Sequence, residues 1–386
     1  MRVKLGNPVS GVDFWPRPDI VDNLYKALVE DRGSRRMFGL RRIGKTSILL
    51  ELERRLRADK EHVVIRVDVQ GVNRFRDFLS KVFEQIPSDS KFREARQHIA
   101  ANHFMKALLP AVIARIGGSS APAQAPLAGF TNEFHHNAAW EGDIEKALCE
   151  VGTLVLIIDE LPFMLRNMLR GDYQPADIER FLATLRNWRF NCGVRILLAG
   201  SLGLGQVARD MKVHIADHVG DLLPVAVPPL ESEDAADMVD ALANGEGLRD
   251  WSRALSHAVV EASAETWPIF LQYGFDAVWK SGVRDPARVK ETINARVRQS
   301  LDETIYSQFS TRLARYGADE KFARATLRCV AGGLPEPATF DALDAVLDKF
   351  DALREDDFLV FDTESRTIRP ASKLVPIWVR ARSWGR

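Results

Sequence analysis

Gly39-Leu-Arg-Arg-Ile-Gly-Lys45-Thr46-Ser47 is the stretch whose residue types and spacing can do chemistry. It fits G-x-x-x-x-G-K-[ST], in which glycines let the backbone curl until successive N–H groups face one concavity and hold phosphate oxygens. Gly39, Arg41, Arg42, Ile43, Gly44, Lys45, Thr46 and Ser47 are therefore the candidate phosphate-binding residues. Lys45 would reach the outer phosphates as a point charge. Thr46 would place its hydroxyl on Mg2+. The continuation, Ser47-Ile-Leu-Leu-Glu-Leu-Glu-Arg-Arg-Leu, reads as a helix whose N-terminal dipole faces the phosphates. The competing reading is a chance match in a turn. A strand ahead of the motif argues against it, and Arg35-Arg-Met-Phe38 is a short candidate.

A second cluster lies far downstream. Thr153-Leu-Val-Leu-Ile-Ile-Asp159-Glu160 is a run of largely apolar β-formers ending in two carboxylates. A buried strand delivers such an end to the C-terminal edge of an open α/β sheet, where ligands bind. Asp159 would hold Mg2+ there, directly or through water, and Glu160 would orient an attacking water or take its proton. The same acids would also suit a cap on a helix begun by Leu161-Pro162, but the loop upstream favours chemistry. Val194-Arg-Ile-Leu-Leu-Ala-Gly200-Ser201 is another strand with a small polar end. Ser201 would touch the last phosphate or the water; the alternative is a tight turn bracketed by Gly200 and Gly203. The catalytic candidates are thus Glu160, Lys45 and Ser201, and the metal candidates Thr46 and Asp159.

The elements that must position these groups alternate. A helix starting at Pro18-Asp19 precedes the loop, and Arg17 at its start is a candidate for the wall beside a nucleotide base. A helix that merely covers the sheet is the equal alternative. Residues 62–70 read as a buried parallel strand, 74–85 and 93–116 as helices, 117–129 as a small-residue loop, and 140–149 and 177–192 as helices. His135-His136 point apart on most backbones, which discounts a metal site. Residues 222–229 form a short strand broken by prolines. Such alternation predicts right-handed βαβ units in a mostly parallel sheet. From Leu230 to about Arg315 the pattern is helical. Beyond it come helices at 322–329 and 339–353, strands at 357–362 and 367–370 joined by a turn at 363–366, and a closing apolar segment from Leu374. Helices followed by a hairpin have the layout of a winged helix. Arg366, Arg369, Lys373, Arg380, Arg382 and Arg386 make that end locally basic.

A chain of 386 residues suggests two or three domains. The expected divisions are an α/β nucleotide-binding domain at 1–229, a helical lid and connector at 230–315, and a winged-helix domain at 316–386. The net charge is zero, which removes any global attraction to nucleic acid or an anionic membrane. Cys149, Cys192 and Cys329 have no metal spacing and read as buried reduced thiols. No apolar run approaches the roughly 20 residues of a membrane span. The expectation is a soluble cytoplasmic protein.

Taken together, the motifs resemble those of the archaeal-type ATPases in the STAND branch of AAA+-like P-loop NTPases, over nearly the whole chain. The shared wording runs from Asn7-Pro8-Val9 and Phe14-Trp15-Pro16-Arg17 through Gly39–Ser47 and Ile158-Asp-Glu-Leu-Pro162. It continues in Gly200-Ser-Leu-Gly-Leu204, Pro229-Leu-Glu-Ser-Glu-Asp-Ala235 and Trp267-Pro268-Ile-Phe-Leu-Gln272. Pro16-Arg17-Pro18 stands where family members carry Gly-Arg-Glu, and Glu265-Thr266 where many carry Gly-Gly. The resemblance implies a P-loop sheet followed by an α-helical lid and a C-terminal winged helix. It implies ATP and Mg2+ as cofactors, Arg17 and Pro268 near the nucleotide, and slow hydrolysis driving a molecular switch. A DNA or protein partner at the winged helix and a nucleotide-dependent homo-oligomer are the implied partners. An ATP-licensed DNA-binding regulator or initiator-like loader is the alternative, and a scaffold that never turns ATP over is a third. Arg186, Arg189 and Arg209 are the arginines considered for a finger acting on a neighbouring subunit's site.

Overall fold

In a computed structural model of the chain, residues 1–85, 145, 148–149, 153–171, 173–201, 203–204, 207–208, 212–301, 306–331, 338–339, 352–354, 356–362 and 367–381 are described. The helix expected at 93–116, the 117–129 loop, His135-His136, Arg209 and the 363–366 turn lie outside them.

Five strands make one parallel sheet. These are β1 (Arg35–Phe38), β2 (Val63–Asp68), β3 (Leu154–Asp159), β4 (Arg195–Gly200) and β5 (Leu223–Pro224), in the spatial order β2-β3-β4-β1-β5. β3 and β4 are buried at every position, so both faces of the sheet are covered. Period-two alternation splits their side chains between two cores. Val155, Ile157, Leu197 and Ala199 face one, and Leu156, Ile158, Ile196 and Leu198 face the other.

Helices α1 (Pro18–Val29) and α2 (Lys45–Ala58) belong to the first core. Ile48, Leu49, Leu52 and Leu56 of α2 are fully buried there at helical spacing. The second core takes α3 (Phe75–Glu84), α4 (Leu161–Arg170) and α5 (Pro175–Cys192). Proline at the first or second position of α1, α4 and α5 removes an N–H that would have had no intrahelical partner.

A helical unit follows, with α6 (Ser232–Gly245), α7 (Arg253–Ala262), α8 (Pro268–Ser281) and α9 (Val289–Leu301). Its apolar stripes merge with the first core. The C-terminal part holds α10 (Ser307–Leu313), α11 (Glu320–Ala331) and α12 (Leu374–Ala381) around a small antiparallel sheet. That sheet is ordered β6-β8-β7, with β6 at Ala338–Thr339, β7 at Leu359–Asp362 and β8 at Thr367–Pro370. β7 and β8 fall within the expected strands at 357–362 and 367–370. Thr339, expected to open a helix, instead pairs with Thr367, because a third strand satisfies the free edge of β8.

The cysteine expectation is corrected. Cys149 and Cys192 are joined in a disulfide, and Cys329 is exposed on α11. Forty-three residues separate the bonded pair, and Glu145 also meets Asn191 and Cys192 at the end of α5. No helix among the described residues is long and apolar enough to cross a membrane.

Candidate functional site

The loop between β1 and α2 curls as its sequence requires. Gly44 sits at φ 102°, a left-handed value that a side chain would strain, and it opens α2. Arg42 is also left-handed, at φ 67°. Lys45 is buried, and its ammonium donates to the carbonyls of Gly39 at 3.1 Å and Leu40 at 2.5 Å. Burial pushes its pKa down to about 8, with Glu160 and Asp159 opposing that shift and Arg312 adding to it.

Thr46 Oγ1 donates to Asp159 Oδ2 at 3.0 Å, joining the loop to the end of β3. Burial raises the Asp159 carboxyl to about 6, helped by Glu160 and opposed by the Thr46 hydroxyl. Its other oxygen, Oδ1, is buried with no hydrogen-bond partner. An unsatisfied carboxylate oxygen beside a threonine hydroxyl is the donor set a Mg2+ ion takes when phosphates and water complete its shell. Thr46 and Asp159 thus fit a divalent cation, although no cluster of three or more metal-binding side chains exists among the described residues.

Glu160 follows in a left-handed conformation, φ 62° and ψ 33°, which costs about 1 kcal/mol or more in a non-glycine residue. Oε2 accepts from both the backbone N–H and the hydroxyl of Ser201, each at 3.0 Å. Gly200 allows this approach, since a Cβ there would lie 2.7 Å from Pro162. Arg41 donates through Nε to Ser201 Oγ at 3.1 Å and lies over the Phe163 ring.

A cavity of about 330 Å³ opens beside these groups, within the usual range for small-molecule sites. Arg41 through Ser47 and Glu160 form one end. Arg17, Phe14, Trp15, Met238, Pro268 and Gln272 form the other. The sequence-derived residues Arg17, Arg41, Arg42, Ile43, Gly44, Lys45, Thr46, Ser47, Glu160 and Pro268 therefore converge on one space. Gly39, Asp159 and Ser201 lie buried behind its wall rather than in it.

Ser47 turns its hydroxyl to the Val9 N–H at 3.0 Å, which fastens the N-terminal segment to the loop. Arg17, 9% exposed, donates to the Pro228 carbonyl at 2.5 Å. Burial lowers its pKa, against the pull of Asp234 and Asp19.

Of the arginines considered for a finger, Arg189 is consumed internally, bonded to Asp221 and to the His218 carbonyl. Arg186 is exposed and stacks on Phe190. Sequence reasoning placed Trp15 only in the shared N-terminal wording and gave it no site role; its Nε1 donates to Asp234 at 3.0 Å. The same reasoning missed Gln308 and Arg312 of α10. Arg312 Nη2 donates to the carbonyl of Ser201 at 2.7 Å, and Gln308 Oε1 accepts from the Arg41 N–H at 2.8 Å. The available signal was Arg312 standing three residues after Phe309, on the apolar stripe of its helix.

No family model matches the chain, and no curated protein does. Solved structures do. A Walker-type ATPase of Pyrococcus abyssi is 15% identical, aligned over 98% of this chain and 100% of that one, with a TM-score of 0.59. The ORC2 protein of Aeropyrum pernix in its ADP form is 14% identical over 99% and 97%, with a TM-score of 0.47. Domain III of the Thermotoga maritima replication initiation protein DnaA is 11% identical over 74% and 95%, at 0.39. The first likeness, with the parallel sheet and the loop at its edge, makes the fold that of a P-loop ATPase. The other two superpose too loosely to add to it.

Proposed function

We propose that the protein binds ATP with Mg2+, hydrolyses it slowly, and acts as a nucleotide-driven switch coupled to a C-terminal winged helix, in the manner of the STAND branch. The observation that carries this reading is the hydrogen bond from Thr46 to Asp159 Oδ2, which joins the loop to a carboxylate whose other oxygen, Oδ1, is buried without a partner beside Glu160. Loop amides would hold the phosphate oxygens, and Lys45 would turn from its own loop carbonyls to the β- and γ-phosphates. Thr46 and Asp159 would hold Mg2+, which when bound would supply positive charge against that of the phosphates. Glu160 would accept a proton as the water oxygen bonds to the γ-phosphorus and the bond to the bridging oxygen breaks. Ser201 would set the direction of Glu160. Pro268, Met238 and Phe14 would pack on the base.

The test is ATP turnover and affinity in Glu160→Gln, which keeps shape and removes the proton acceptor. Turnover should fall about a hundredfold or more with affinity kept. Wild-type turnover in that variant would sink the assignment.

A second reading, an ATP-licensed DNA-binding regulator, draws on exposed Arg369, Lys373 and Arg380 beside the small sheet. Duplex binding with a steep salt slope, titrated with and without ATP, would favour it. Cytoplasmic placement loses the support of free thiols, since Cys149 and Cys192 are bonded.

A further inference from the structure

Arg312 takes no part in the chemistry above, yet it is 2% exposed. Its Nη2 donates to Ser201 O at 2.7 Å and reaches Gly39 O at 3.5 Å. Its Nη1 donates to Asp356 O at 2.5 Å and to Asp357 Oδ2 at 3.2 Å. One turn earlier, Gln308 accepts the Arg41 N–H. These links form a ring. It runs from α10 to the loop through Gln308, from Arg41 to Ser201, and back to α10 through Arg312, with Glu160 attached to it at Ser201.

The C-terminal unit holds α10 firmly. Phe309 packs on Phe358 and Trp378, with ring centroids 5.5 and 5.3 Å apart. A second tether lies away from the site. Glu265 of the helical unit, 6% exposed, accepts the Lys373 N–H at 2.7 Å.

Two consequences follow for the loop. The Arg41 amide, a donor at the start of the phosphate-holding stretch, is given to Gln308. Both hydrogen bonds on Glu160 Oε2 come from Ser201, so that oxygen faces Ser201 rather than a water over the loop. A guanidinium fork is suited to this bridging because it serves several oxygens from one plane.

We propose that Gln308 and Arg312 are positioning residues through which the docked C-terminal unit restrains turnover at the P-loop. This rests on the ATPase reading above. Undocking α10 would free the Arg41 amide and release Ser201, and with it Glu160.

The test measures kcat, KM and melting temperature on the full chain for wild type, Gln308→Ala, Arg312→Lys and Lys45→Ala. Gln308→Ala should raise kcat about fivefold, the factor one neutral hydrogen bond is worth, with KM little changed. Arg312→Lys keeps the charge and loses the fork, and should also raise kcat. A merely structural role would leave kcat unchanged or lower it, so unchanged or lowered kcat in both folded variants overturns the restraint while the ATPase reading stands. Wild-type turnover in Lys45→Ala, or none in any protein, overturns the ATPase reading and this inference together.

Discussion

The two ends of the cavity are built in opposite ways. At the end proposed to hold phosphate, the groups in and behind the cavity wall leave adjacent strand ends of one sheet. Lys45, Asp159 and Ser201 are nearly fully buried, and hydrogen bonds of 2.5–3.0 Å hold them. At the other end, proposed for the base, the groups come from segments remote in sequence. Trp15 meets Asp234, Arg17 meets the Pro228 carbonyl, and the Lys4 N–H meets Gln272, across 219, 211 and 268 residues. The first end is set by the sheet and the second by how the helical unit closes on the N-terminal segment. The proposed phosphate grip and base contact are therefore built separately, and substitutions at the two ends should report different quantities.

Lys45→Ala should give the largest effect. It removes the point charge on the outer phosphates and should weaken ATP binding about a hundredfold or more by calorimetry, the scale of charge-assisted hydrogen bonds lost together. Because Lys45 is buried at a cost, the ligand-free variant should melt no lower than wild type.

Asp159 comes next. Its folded pKa, about 6, lies above the ordinary carboxylate value. Its contribution to stability is therefore fullest below about pH 4 and is lost as pH rises through 6. Asp159→Asn should match wild type near pH 4 and exceed it at pH 7 by about 2–3 kcal/mol without ligand. Mg2+ with ATP should stabilise wild type and fail to stabilise the variant. Thermal melts at both pH values check this.

At the base end, Arg17→Ala should weaken ATP about tenfold, the lower range for a hydrogen bond from a charged donor. Its kcat at saturating ATP should hold. A parallel loss of kcat would break the separation between the two ends. Trp15→Phe removes one neutral bond to Asp234 and should cost about fivefold or less in affinity. Comparing ATP with GTP in these two variants sharpens the point, since only the base end should discriminate.

What was legible in the sequence follows the same division. The loop and the Asp159-Glu160 strand were readable because spacing, strand and helix signals are contiguous there. The parallel sheet was readable because β3 and β4 are unbroken apolar runs. Contacts across the chain were not. Arg312 looks like an ordinary surface cation until Phe309 and Leu313 are seen to share its face. The pairing of Cys149 with Cys192 leaves no local mark, and two residues of β6 are too few to show alternation. Glu265, noted only as a departure where other chains carry glycine, holds the C-terminal unit through the Lys373 N–H.

The strand order has a further consequence. β4 lies between β1 and β3, so the loop and the paired acids leave the sheet two strand spacings apart, about 10 Å. Ser201 leaves from the strand between them, which is why it reaches both Glu160 and Arg41. The sheet acts as a ruler, and its graduations are main-chain hydrogen bonds. Exchanging one apolar side chain for another inside these strands leaves that interval intact. Sliding β4 by a single residue would shift Ser201 by about 3.3 Å and break both of its links at once.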